Sequence, residues 1–178
     1  MTPPNTEPAS RSGLATLTGR AHVYGDNIDT DRIIPGKYTK TLQLAELARH
    51  VLEDLDPDFS RRVQPGDLLV AGRNFGCGSS REQAPLALKA AGVAGVVARS
   101  FARLFFRNAI NIGLPLVEAP DHALTGAGPL RVDLAEGVVT DLATGHSYTA
   151  TRLPAVMVAI LREGGLVNFL VKHGDYRF

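Results

Sequence analysis

Residues 72–85, GRNFGCGSSREQAP, gather three glycines, the chain's one cysteine, two serines and two arginines between an apolar run and an alanine-rich stretch. Glycines between a strand and a helix can aim backbone N–H groups at an anion. Arg81 adds a planar fork that matches both oxygens of a carboxylate. A phosphate loop would need Gly-Lys-Ser/Thr, and no lysine stands between Arg73 and Gln83. A dinucleotide fingerprint would need G-x-G-x-x-G, but Gly76-Cys77-Gly78 runs on into Ser79, Ser80 and Arg81. The hydrolase elbow G-x-S-x-G is missing as well. Two readings fit what remains. One is a general anion site made of loop amides, two hydroxyls, a helix N-terminus and Arg81; the other is a strand-to-helix turn capped by serines.

Other chemistry-bearing residues are more scattered. Cys77 as a nucleophile would want a histidine and an electropositive setting. His22, His50, His122, His146 and His173 fit no recognised triad spacing, so each reads as a surface or packing residue and Cys77 as a small filler. Asp26, Asp29 and Asp31 in GDNIDTDRIIPGKY alternate like the carboxylates of a calcium loop. The glycine and distal glutamate of such a loop are not at the right spacing, which leaves turn-capping or an orienting role in a site. Arg103, Arg107 and Asn111 stand four apart on one helical face, either solvated or facing an anion or a partner.

The elements that must position these groups follow from periodicity. A strand is expected from about Leu14 to Tyr24, then a structured loop over GDNIDTDRIIPGKY, a helix from Leu42 to Leu52, and a second loop over DPDFSRRVQPGD. DLLVAG reads as a short buried strand entering the glycine loop, and EQAPLALKAAG as a helix stopped by Gly92. VAGVVA is another strand, SFARLFFRNAINIG a helix with Ser100 as N-cap and Gly113 as stop, and LPLVEA a further strand. Three strand-like runs broken at Glu136-Gly137 and Thr144-Gly145 predict a β-meander; two helical pieces split by Gly164-Gly165 close the chain. Strands alternating with helices and then a meander predict a layered α/β domain.

Composition bounds the function classes. The 178 residues suit one core; 44% are hydrophobic and 21% charged, as in ordinary globular domains. A net charge of +1 gives no electrostatic reason to expect a nucleic acid or a membrane surface as partner. One cysteine excludes an internal disulfide, fits a reducing, cytoplasmic setting, and cannot by itself build a thiolate-held cluster. No apolar run approaches the ~18 residues of a membrane span. Residues 1–13, rich in Pro, Thr and Ser, lack the apolar core of a secretory signal and are expected to be a disordered tail before a domain over 14–178.

Three stretches taken together carry a family resemblance: YGDNIDTDRIIPGKY, PGDLLVAGRNFGCGSSREQAPLALKAAG and ARSFARLFFRNAINIGLPLVE. They resemble the small subunit of 3-isopropylmalate dehydratase and of homoaconitase, the detached swivelling domain of the aconitase superfamily. The resemblance spans about Leu14 to Tyr176 and implies a swivelling β/β/α-type fold, a layered mixed sheet with flanking helices, a meander and C-terminal helices. It implies that Ser79 is the base that takes a proton from the carbon next to a carboxylate, that Ser80 and Arg81 hold substrate carboxylates, and that Asp31 of the Thr30-Asp31 pair belongs to the catalytic constellation. A serine hydroxyl needs local charges and hydrogen bonds that favour its alkoxide. The family also uses a [4Fe–4S] cluster as Lewis acid, which implies a large, cluster-carrying subunit as partner and no metal on this chain.

The departures from the family pattern bear on substrate. Gln83 stands where relatives often carry His, and Gln43 where single-chain aconitases carry an arginine, which disfavours citrate. The resemblance implies that the loop after Pro35, here GKYTKT, distinguishes substrates; a cation there, Lys40, would suit the extra carboxylate of homocitrate, whereas an apolar contact would suit an isopropyl group. The expected substrates are a dicarboxylate of leucine synthesis, 2- and 3-isopropylmalate, or alternatively the homocitrate series of lysine synthesis. A reading of another class is a carboxylate-binding module without catalysis; the retained base serine argues against it.

Overall fold

The computed structural model describes residues 16–41 and 43–174, so the expected tail over 1–13 lies outside the described residues. A seven-stranded sheet in the order β4-β3-β2-β1-β5-β6-β7 forms the centre, and the expected layered α/β architecture is what the chain adopts. Strand β1 (Thr16–Val23) is shared between its two halves. Its C-terminal half pairs in parallel with β2 (Leu68–Ala71), Ala21 opposite Leu68. Its N-terminal half pairs antiparallel with β5 (Pro129–Asp133), Thr16 opposite Asp133. β3 (Gly95–Ala98) and β4 (Leu116–Glu118) extend the parallel side. β6 (Val138–Asp141) and β7 (Ser147–Thr149) complete the predicted meander beside β5.

The parallel strands are apolar on both faces, as strands covered on both sides must be. Leu69, Ala71, Val96, Ala98 and Leu116 face one core, which packs on the short helix α1 (Thr30–Ile33), α2 (Leu44–His50), α3 (Phe59–Arg62), α4 (Gln83–Ala90) and α5 (Arg103–Asn111). Leu68, Val70, Val97 and Val117 face the other, against β5, β6, α6 (Ala155–Arg162) and α7 (Leu166–His173). No helix among the described residues is long and apolar enough to cross a membrane.

Several expectations change on folding. The loops over residues 25–38 and 56–67 each contain a short helix, α1 with a following 3-10 turn at Gly36–Tyr38, and α3. These turns are too short for an apolar period to show. Ser100 does not cap α5, which starts two residues later behind Ala102. Its hydroxyl instead accepts the Asn74 N–H at 2.8 Å. A serine committed to a neighbouring loop cannot also cap its own helix.

Candidate active site

Past the C-terminal ends of the parallel strands, three loops run side by side and continue the sheet's hydrogen bonding. Asn27 N–H donates to the Arg73 carbonyl (2.8 Å), Gly76 N–H to Ile28 (2.7 Å) and Thr30 N–H to Cys77 (2.8 Å). On the other side Phe75 N–H donates to Ser100 (3.0 Å) and Ala102 N–H to Phe75 (2.9 Å). The loop after β2 is thus held between the loops after β1 and β3, at the edge where open α/β sheets bind ligands.

Two glycines make this close fit. Gly76 has φ +77, and a Cβ there would lie 2.2 Å from the Phe105 ring, so neither conformation nor space admits a side chain. Gly78 has φ +96 and faces the Thr30 hydroxyl. Phe75 anchors the loop, buried edge-on against Phe105 (5.3 Å between centroids) and Phe101 (6.1 Å). The Asn27 and Asn74 side chains bond each other at 3.1 Å; both residues have left-handed φ, which asparagine tolerates.

On this platform stand the residues expected from sequence. Ser79 is exposed, and its Oγ lies 3.2 Å from Oγ1 of Thr30. Ser80 is exposed, and its carbonyl accepts from the Asn108 amide at 3.4 Å. Arg81 forms an ion pair with Asp31. The Arg81 side chain is 31% exposed and that of Asp31 63%, so the guanidinium is partly sheltered and the carboxylate open. The backbone N–H groups of Gly78, Ser79 and Ser80 make no hydrogen bond with any described group. The structure therefore brings Ser79, Ser80, Arg81 and Asp31 together and leaves donors free beside them. Lys40 lies in the same loop system, exposed and without a polar partner among the described residues. The turn carrying it touches the site at Gly36, where a Cβ would lie 3.4 Å from the Arg81 guanidinium.

Sequence reasoning missed Thr30 and Asn108. Thr30 is buried to 1% and connects the first turn of α1 to Ser79. Its only sequence signal was adjacency to Asp31. Asn108 sits beside the Arg103–Arg107–Asn111 face; those three point to solvent, and it is Asn108 that reaches Ser80. The three aspartates do separate work. Asp29 caps α1 by accepting from Arg32 N–H (2.8 Å), Asp26 accepts from Arg73 N–H (2.7 Å), and Asp31 holds Arg81. The histidines pack or pair elsewhere. His22 bonds buried Asp67 at 2.8 Å, and His122 is buried on the Ala71 carbonyl at 2.9 Å. Burial, the larger effect, pushes the His122 imidazole down from its ordinary value, with the Arg99 charge adding to it.

Chemically the arrangement can receive an anion, with a guanidinium and loop N–H groups beside an exposed hydroxyl. A thiolate-held cluster needs several cysteines, the chain has one, and among the described residues no three His, Cys, Asp or Glu side chains could hold a metal ion together.

Comparison with known proteins agrees with this geometry. The sequence matches the family described as Aconitase C-terminal domain over residues 14–121. A 3-isopropylmalate dehydratase small subunit of Methanopyrus kandleri is 55% identical, covering 91% of this chain and 96% of the relative. A methanogen homoaconitase small subunit of Methanothermobacter thermautotrophicus is 52% identical over 89% of this chain and 93% of its own. Among solved structures, a 3-isopropylmalate dehydratase from Methanocaldococcus jannaschii superposes with a TM-score of 0.85 at 42% identity, covering 89% of this chain and 95% of that one. The chain belongs to the aconitase C-terminal domain family, in its branch of dehydratase small subunits.

Proposed function

We propose that this chain is the small subunit of a hydro-lyase that interconverts 2-isopropylmalate and 3-isopropylmalate by removing and re-adding water. The observation that carries the reading is the Thr30–Ser79 hydroxyl pair beside the Asp31-held Arg81, on one open edge of the sheet. Arg81 receives a substrate carboxylate on the guanidinium N–H groups that Asp31 leaves free, and Ser80 with the unpaired loop amides takes a second contact. Ser79 Oγ then removes the proton from the carbon next to that carboxylate, and the C–H electron pair becomes the new C=C bond as hydroxide leaves the adjacent carbon. Re-addition of water to the other carbon returns the proton. Once Ser79 is deprotonated, the Thr30 hydroxyl is the donor of the pair and favours the alkoxide.

This chain lacks the acid that must receive the leaving hydroxide, and its single cysteine does not fit a [4Fe–4S] cluster. That group is assigned to a large subunit. Exposure of Ser79, Ser80 and Asp31 supports the same division, because an open face needs a second wall to exclude water. The reading places the complex in the cytoplasm. A second reading, turnover of the homocitrate series, is favoured by one observation: Lys40 is a solvent-facing cation with no polar partner among the described residues.

The test is an anaerobic assay of the chain reconstituted with its large subunit, on isopropylmalate and homocitrate substrates in parallel, with Ser79→Ala beside the wild type. Turnover of isopropylmalate that disappears in Ser79→Ala, with assembly intact, is expected. Normal turnover by Ser79→Ala overturns the base assignment, and activity on homocitrate alone selects the second reading.

A further inference from the structure

The turn between α1 and α2 touches Arg81 through Gly36 and carries Lys40, and its residues Gly36, Lys37 and Lys40 are exposed. Its own bonds close it internally: Tyr38 N–H to Pro35 (2.9 Å), Thr39 N–H to Gly36 (3.2 Å), Thr41 N–H to Tyr38 (3.3 Å) and the Thr39 hydroxyl to the Gly36 carbonyl (2.7 Å). Those bonds lie within the turn; Tyr38 also packs on the core, and one carboxylate reaches the turn from the turn after α2. Glu53 takes Lys37 Nζ on Oε1 at 3.0 Å and His50 Nδ1 on Oε2 at 2.6 Å; the Tyr38 hydroxyl donates to the same Oε2 at 3.5 Å. The Tyr38 ring stacks on the His50 ring, centroids 3.8 Å apart and planes 10° from parallel, and Lys37 Nζ lies 4.8 Å from the Tyr38 ring centroid. The turn that carries Glu53 is itself tied to the site, because Leu52 N–H donates to the Ile33 carbonyl at 2.8 Å at the end of α1.

We propose that Glu53, with His50 and Tyr38, is a positioning cluster that fixes the residue 36–41 turn against Arg81 and thereby sets which carboxylic acid the site accepts. The inference rests on the function proposed above for the same site. Glu53 touches no substrate. It acts by holding two successive side chains of the turn, Lys37 and Tyr38, on one carboxylate, so that Gly36 stays packed on the guanidinium and Lys40 keeps a defined place. Lys37 and Glu53 respond to each other in the expected sense. The Glu53 hydrogen bond is the main cause that raises Lys37 above its ordinary value; burial works against ionised Glu53, but its bonds from Lys37, His50 and Tyr38 hold it below the usual carboxylate range. A lone exposed ion pair would contribute little. A carboxylate shared among three groups, beside a stacked ring pair, makes the turn one unit instead.

The test separates the cluster from the catalytic reading by using a readout that needs no turnover. In the isolated full chain, amide hydrogen exchange at Tyr38, Thr39 and Thr41 is compared between wild type, Glu53→Ala and Glu53→Gln. In the reconstituted complex, kcat and KM are measured for both substrate series. Faster exchange confined to the turn is expected in Glu53→Ala, together with KM raised roughly fivefold to tenfold, kcat within twofold, and an altered ratio of kcat/KM between the two substrate series. Glu53→Gln, which keeps the shape but not the charge, should fall between. Unchanged exchange overturns the cluster. Faster exchange with unchanged KM and unchanged substrate ratio overturns its role in selection. Loss of kcat with KM intact also overturns it, since that would make Glu53 part of the chemistry. Absence of turnover in the wild-type complex, by contrast, counts against the proposed function and leaves the exchange result standing.

Discussion

Replacing Thr30 with valine removes one hydroxyl, keeps the side chain's shape, and tests whether Ser79 is held as a base. Thr30 is buried to 1%, and among the described residues its Oγ1 has Ser79 Oγ, at 3.2 Å, as its one hydrogen-bond partner. That separation is long for a hydroxyl pair, so the bond is weak at rest and gains strength as negative charge develops on Ser79. A hydrogen bond to an ionised group contributes about 1.5–3 kcal/mol, against about 0.5–1.5 kcal/mol for a neutral pair. If most of the charged value is realised only in the transition state, Thr30→Val should lower kcat by about ten- to a hundredfold and leave KM within about twofold. Folding should survive, because the Thr30 N–H bond to the Cys77 carbonyl is backbone and Asp29 still caps the helix. Thr30→Ser restores the hydroxyl and should restore most of the rate, at a stability cost of about 1 kcal/mol for the lost buried methyl. Steady-state kinetics of the reconstituted complex, with thermal unfolding of each variant, decides it. A Thr30→Val enzyme within threefold of wild type, or a Thr30→Ser enzyme as slow as Thr30→Val, refutes the reasoning.

Three further outcomes follow from particular contacts. Arg81→Lys keeps the charge but loses the fork, so KM should rise about tenfold while the protein assembles normally; an unchanged KM contradicts the carboxylate role. Gly76→Ala combines a φ of +77 with a Cβ 2.2 Å from the Phe105 ring. It should destabilise by about 2–4 kcal/mol in urea unfolding, against almost nothing for Gly25→Ala, where no atom lies within 4 Å of the added carbon. His122 is neutral and buried in the fold, with its pKa lowered by burial. An unfolded histidine takes a proton below about pH 6.5. Stability at this residue is therefore complete above that pH and lost as pH falls toward the lower folded value. His122→Asn should be less stable at pH 7, and its deficit should narrow between pH 7 and pH 5; parallel curves would show that His122 does not titrate as described.

Much of the architecture is legible locally because periodicity and punctuation agree. The four-residue apolar strands β2 and β3, the stops at Gly92 and Gly113, and the meander breaks at Gly137 and Gly145 all fall where turn chemistry requires them, and each of these glycines has positive φ. The loops before β2 were less legible, because α1 and α3 are four residues each and leave no period to detect. Ser100 was misread for a related reason: its residue type fits a cap, but only the neighbouring loop reveals that Asn74 N–H has claimed its oxygen.

The sequence by itself determined the reactive residue types and their order: a glycine loop that ends in two serines and an arginine, an aspartate in a separate loop, and too few thiols for a cluster of the chain's own. Only the tertiary structure decided which of these meet. Thr30 and Ser79 lie 49 residues apart, and Asp31 and Arg81 lie 50 apart. No local spacing relates them. Parallel pairing of β1 with β2 brings their C-terminal loops side by side, and Gly76, lacking a side chain, lets that loop close onto Phe105. Backbone bonds across the loops then fix both contacts, because a buried hydroxyl and a sheltered guanidinium must each find a partner that the chain alone, in sequence, does not place beside them.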